Sequence, residues 1–270
     1  MDSTGNELNS PTPHPGVNAV LRGFATHIQS ILGSHFLGLY LCGSLALGDF
    51  DPSTSDIDFI VVTDVDISDN FFIPLQEMHA QFDRSHSPWA RKVEAAYIPG
   101  DALNHSAPTA ATYLQVEKGT LLFRAPLEIG WAFQRHTLRE HAIAVTGPEL
   151  RSLIYPVRLA DMQHAASVIL RDWLEQSRHD ASWRRWAQIR SNQAFVILTL
   201  CRLLYSLETG SVASKLVAAR YAQKNFEARW NILIEQALAG QHSNQETPEE
   251  DFRAMLALLS YTLERSQPSQ

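Results

Sequence analysis

Strand-forming and helix-forming segments are segregated along this chain, and the segregation limits what it can fold into. Up to about residue 148, short apolar runs alternate with turn-rich loops: Phe36 to Cys42 (FLGLYLC), Ile57 to Val62 (IDFIVV) and Lys92 to Ile98 (KVEAAYI). Their β-branched and aromatic content predicts strands. A helical spacing of apolar residues over Val17–Leu32, ended by Gly33, and a second helical stretch over Phe72–Phe82 accompany them. After Gly147-Pro148 the texture changes. Long helical periodicities run over about 160–178, 184–208, 212–221, 225–239 and 249–265, punctuated by Gly210, Gly240 and Pro248. The expectation is an α+β domain over 16–152 followed by an all-helical domain over 153–270, with the polar, Pro/Ser-rich residues 1–15 as a disordered tail.

Composition narrows the class of protein. With 45% hydrophobic and 19% charged residues among 270, the chain can bury a real core. The balance of 22 basic against 29 acidic residues, a net charge of −7, argues against general nucleic-acid binding, which Lys and Arg drive by releasing counterions. The two cysteines, Cys42 and Cys201, both sit in apolar runs, so buried free thiols are expected and a disulfide framework is not. No basic, apolar leader pattern and no apolar run near the roughly 18 residues of a membrane span is present, which points to a cytoplasmic protein away from the membrane. Eleven histidines fall into no metal-ligand spacing, and phosphate-loop and nucleophile-elbow motifs are missing.

The chemistry is concentrated between two of the strands. One strand delivers the chain to Gly43-Ser44, a Gly/Ser/Asp/Pro-rich loop follows, and the next strand opens with Ser55-Asp56-Ile57-Asp58. Residues two apart in a strand point to the same side, so Asp56 and Asp58 present their carboxylates together while Ile57 turns into the core. Paired carboxylates repel unless a cation lies between them, and Mg²⁺, completed by phosphate oxygens and water, is the usual solution. Gly43 lets the backbone approach a bulky anion, and Ser44 adds a hydroxyl donor. Glu94 stands alone among apolar neighbours in KVEAAYI. A lone acid in such a strand asks for a partner.

Through Gly43, Ser44, Asp56 and Asp58 the chain resembles the nucleotidyltransferase superfamily typified by DNA polymerase β. Leu198-Thr199-Leu200-Cys201-Arg202, Thr209-Gly210 and Ala213-Ser214-Lys215, with Arg139-Glu140-His141 and Val145-Thr146-Gly147-Pro148, resemble the streptomycin/spectinomycin 3″-adenylyltransferases. The resemblance implies a nucleotidyltransferase domain with a mixed sheet and flanking helices, followed by a helical substrate-binding domain, with ATP and acceptor held in the cleft between them. It implies Mg²⁺-dependent transfer of AMP from ATP to a hydroxyl of a small molecule, an aminoglycoside or aminocyclitol such as spectinomycin or streptomycin, with release of pyrophosphate by a monomer. Asp56 and Asp58 would hold Mg²⁺, and Ser44 and Ser55 would touch the phosphates. Arg202 and Lys215 would neutralise the triphosphate, and Glu94 would act as general base or metal ligand. Acceptor positions depart from the family pattern. Counting back from Lys215, the drug-binding acid falls on Asn192, one tryptophan matches Trp183, its acidic companion falls on Gln188, and a further tryptophan falls near Lys118-Gly119. The acceptor therefore stays open, a protein or RNA acceptor of the toxin–antitoxin kind and a non-catalytic nucleotide-binding module being the alternatives.

Overall fold

The computed structural model describes residues 10–85, 87–105, 110–117 and 121–267. Two compact units emerge from the contacts: unit 1 spans Met1–Glu128 and Thr137–Pro156, and unit 2 spans Ile129–His136 and Val157–Gln270. Of the tail expected through residue 15, residues 1–9 lie outside the described residues. Thr12 is buried, with its N–H and hydroxyl bonded to Asn18 Oδ1 at 3.1 and 2.7 Å.

Unit 1 opens with α1 (Pro15–Leu32), which starts on a proline whose missing N–H costs nothing at a helix N-terminus. Its apolar stripe, including Leu21, Phe24 and Ile28, is buried. Gly33, at φ 57°, ends it. The chain continues through β1 (Phe36–Leu41), the short α2 (Gly43–Ala46), β2 (Ile57–Thr63), α3 (Asp69–Asp83), β3 (Val93–Pro99), β4 (Thr112–Val116), β5 (Phe123–Pro126), α4 (Trp131–His141) and β6 (Ile143–Thr146). The strands form one six-stranded sheet in the order β5-β4-β3-β2-β1-β6. β1 and β2 pair antiparallel, whereas β2 and β3 pair in parallel, the α3 crossover supplying the return that parallel pairing requires. β1 and β2 lie inside the sheet and are buried almost throughout, which is why they read as continuous apolar runs. Phe24 of α1 stacks on Phe82 of α3, ring centroids 4.0 Å apart, and both helices share the core with Phe59, Val93 and Tyr97.

The expected mixed sheet with flanking helices is present, with more strands than the three anticipated. β4, β5 and β6 are only four or five residues long, and β5 is nowhere fully buried, so apolar content gives little warning of them.

Unit 2 is helical: it takes residues 131–136 of α4 together with α5 (Leu159–His179), α6 (Ala181–Ala187), α7 (Arg190–Thr209), α8 (Lys215–Asn225), α9 (Asn231–Gly240) and α10 (Glu249–Ser266). α7 is its centre, with Val196, Ile197, Leu200, Cys201 and Leu204 buried against neighbouring helices. The single helix expected over 184–208 is instead two. The N–H groups of Arg190 and Ser191 donate to Gln245 and Ser243 carbonyls at 2.8 and 2.9 Å, and Thr247 N–H donates to Gln188 at 2.7 Å. A distant segment thus supplies partners that helix continuation would otherwise provide. Among the described residues, no helix is long and apolar enough to cross a membrane.

Candidate active site

The site in unit 1 is built just beyond the end of β1, beside the first residues of β2 and β3. Register places Asp58 of β2 directly beside Glu94 of β3. Neighbours in register on parallel strands project to the same face, and both residues are half-buried between fully buried ones. Cys42 closes the arrangement. Its N–H donates to the Asp58 carbonyl at 2.9 Å, and its thiol is held well above the usual range by burial and then by the charges of Asp58 and Glu94. The two acids therefore converge on one locality, as the sequence leads one to expect.

Gly43 is a steric requirement of that locality. Its φ is 58°, a left-handed conformation, and a Cβ there would lie 2.0 Å from Asp58 Oδ2 and 2.7 Å from Asp58 Cγ. The Asp58 carboxylate rests on the bare Gly43 backbone, so the glycine serves the acid as well as any ligand. Ser44 follows it within α2.

The loop to β2 is organised before any ligand arrives. Asp51 Oδ1 accepts from the Ser53 N–H and hydroxyl at 2.8 and 2.6 Å, which holds the Asp51 carboxyl below its ordinary range. Ser55 N–H donates to the Asp51 carbonyl at 2.9 Å, and Ser55 Oγ accepts from the Asp51 N–H at 3.0 Å. Ser55 thus closes a turn while its hydroxyl proton can still be donated. Lys92 was not singled out by sequence, yet its Nζ donates to the carbonyls of Pro52 and Ser53 at 2.9 and 3.1 Å. It pins this loop to the start of β3. Asp56, half-buried, immediately precedes β2. Among the described residues, no group of three or more His, Cys, Asp or Glu side chains is arranged as a ready metal cage.

In unit 2 the structure brings together the two predicted cations' segments. Arg202 on α7 donates through Nε to the Ala213 carbonyl at 3.2 Å, two residues before Lys215. Lys215 is exposed as the first residue of α8, which Ser214 caps by accepting from Val217 N–H at 3.3 Å. Asn192 is half-buried on α7 and donates to the Trp186 carbonyl at 3.0 Å. Trp183 belongs to the helical core at 9% exposure. The ring that reaches solvent is Trp186, one turn on, at 40% exposure and edge-on to Phe195. Sequence spacing alone does not tell these two tryptophans apart. Gln188, at the acidic companion's position, donates to Glu249 at 3.0 Å. Lys118-Gly119 lies outside the described residues.

A strand, a Gly-Ser turn, a second strand entered through Asp56-Ile57-Asp58 and a third strand presenting a glutamate in register with Asp58 define a nucleotidyltransferase. Comparison with known proteins agrees and goes further. Residues 27–94 match the nucleotidyltransferase domain, and residues 156–265 match the aminoglycoside adenylyltransferase C-terminal domain. An aminoglycoside (3″)(9) adenylyltransferase of Escherichia coli is 27% identical over 248 residues, covering 84% of this chain and 89% of the relative. One of the same description from Klebsiella pneumoniae is 28% identical over 237 residues, covering 81% and 86%. The spectinomycin adenyltransferase AAD(9) of Enterococcus faecialis, solved with ATP and spectinomycin, superposes with a TM-score of 0.65 at 16% identity, covering 94% of this chain and 98% of that one. The chain thus carries a nucleotidyltransferase domain followed by the C-terminal domain of the aminoglycoside adenylyltransferases.

Proposed function

We propose that this enzyme transfers AMP from ATP to a hydroxyl of an aminoglycoside or aminocyclitol antibiotic and releases pyrophosphate. The observation that carries the reading is the in-register pairing of Asp58 with Glu94, both acting on Cys42, above a glycine that Asp58 requires. The relatives' description as aminoglycoside (3″)(9) adenylyltransferases, and the structural neighbour bound to ATP and spectinomycin, support the donor and the acceptor class.

The donor set suits Mg²⁺. Asp56 and Asp58 offer hard carboxylate oxygens, and an octahedral ion that keeps waters and phosphate oxygens needs only one or two protein carboxylates. When bound, Mg²⁺ would neutralise charge on the reacting phosphates. In this reading Ser44 and Ser55 donate to phosphate oxygens. Arg202 and Lys215, whose segments are tied through Ala213, bring fixed positive charge to the triphosphate, which phosphoryl-type transfer needs more than it needs covalent chemistry. Glu94 accepts the proton of the attacking hydroxyl, because an alcohol is a poor nucleophile at neutral pH. Asn192 and the Trp183 segment serve the acceptor, with an amide where a carboxylate would otherwise meet an amine.

The test is to incubate the protein with ATP and MgCl₂, with spectinomycin or streptomycin, following pyrophosphate and the drug's mass. A gain of one adenylyl group on either drug, lost in Asp56→Asn, is the expected result. Pyrophosphate release that is indifferent to both drugs would overturn the acceptor assignment.

A further inference from the structure

Unit 2 buries a positive charge that adenylyl transfer leaves unused. Arg135, within the stretch Ile129–His136 of this unit, is 3% exposed, and its Nε has no hydrogen-bond partner among the described residues. Four residues earlier on the same helix, Trp131 is 1% exposed, and its indole Nε1 is likewise unmatched among the described residues. Residues four apart share a helix face, with Cβ atoms about 5–6 Å from one another. Two buried side chains one helical turn apart therefore each carry an N–H donor with no acceptor among the described residues, which is costly for each and most costly for the charged one.

Arginine cannot shed its proton to escape the cost, even though burial draws its pKa downward. The carboxylate whose charge it feels is Asp161, but Asp161 is already held by Arg158, NH2 to Oδ1 at 2.8 Å and Nε to Oδ2 at 3.1 Å. Arg158 is largely exposed and water can serve it; Arg135 is not. Arg135, Arg158 and Asp161 together leave one positive charge in excess inside a chain whose net charge is −7.

We propose that Arg135 and Trp131 form a binding site in unit 2 for a phosphate-type oxyanion. Such an ion is acceptor-only, carries the compensating charge and matches the planar guanidinium fork, while the indole supplies a further donor. The site is additional to the adenylyl-transfer residues and does not depend on their assignment. The anion is either free phosphate or the phosphate group of a nucleotide.

Thermal unfolding of the full-length protein, titrated with sodium phosphate at an ionic strength held constant with NaCl, tests this, with metal-free ATP as a second arm. A saturable rise in Tm is expected for the wild type, weakened about tenfold in apparent affinity by Trp131→Phe and abolished by Arg135→Met. An Arg135-dependent response to phosphate identifies the free anion; one to ATP alone identifies a nucleotide phosphate. Without added anion, Arg135→Met should be at least as stable as the wild type, since it removes an uncompensated buried charge. Asp56→Asn should keep the phosphate response whether or not it transfers AMP, which separates this site from the proposed reaction. A wild-type response no larger than that to NaCl in both arms, or an unchanged response in Arg135→Met, overturns the proposal.

Discussion

Asp58 and Glu94 stand in register on adjacent parallel strands, and the fields of both carboxylates reach the Cys42 thiol. Their division of labour is separable by experiment. Glu94→Gln keeps shape and hydrogen bonding but loses the base, so pyrophosphate release should fall by about 10²–10⁴-fold. ATP affinity, measured by calorimetry with Mg²⁺ present, should change little. Asp58→Asn should lower both. Undiminished turnover in Glu94→Gln would remove that residue from the proton transfer.

Gly43 and Gly48 provide a matched pair. Both have positive φ, 58° and 73°, so alanine at either incurs a backbone penalty of roughly 1–2 kcal/mol. A Cβ at Gly48 meets nothing within 4 Å, whereas one at Gly43 lands on the Asp58 carboxylate. Gly43→Ala should therefore reduce turnover by at least about a hundredfold, the scale set by misplacing a catalytic group by an ångström or so. Gly48→Ala should lower the unfolding midpoint and leave most of the activity. Equal activities in the two variants would mean that the Asp58 contact is unimportant.

Lys92 acts on the loop that carries Ser55 and Asp56 through its bonds to Pro52 and Ser53. Each such bond from a charged donor is worth on the order of 1.5–3 kcal/mol when well shielded and less at an exposed position like this one. Lys92→Met should raise the KM for ATP about tenfold with a smaller change in kcat. Lys92→Arg should recover part of the loss. Steady-state kinetics at varied ATP reads both outcomes.

His79 makes stability depend on pH. It is 8% exposed, its Nε2 lies 2.7 Å from the Tyr97 hydroxyl, and burial lowers its pKa from 6.5 to about 4. The unfolded chain takes up this proton before the folded one does. Stability is thus fully present above pH 6.5, declines as pH falls below it, and is exhausted of this contribution below about pH 4. The window spans about 2.5 pKa units, or roughly 3 kcal/mol. Denaturant midpoints between pH 7 and 4 should fall faster for the wild type than for His79→Gln. Parallel curves would show that another group dominates.

Local patterns in the chain were enough for the two-part architecture, because β1, β2 and the long helices each carry their own periodicity and bury it as a unit. Asp58 and Glu94 stood out as candidates for the same reason: an acid inside an apolar strand is conspicuous without a fold. Tertiary structure decided the rest. The in-register meeting of residues 58 and 94, 36 positions apart, depends on strand pairing. The contact of Gly43 with Asp58, the burial of Trp183 beside an exposed Trp186, and the break at Gln188-Ile189 all depend on partners distant in sequence. Short strands such as β6 and a buried cation such as Arg135 leave no periodic trace, since what defines them is the neighbour supplied or withheld by the folded chain.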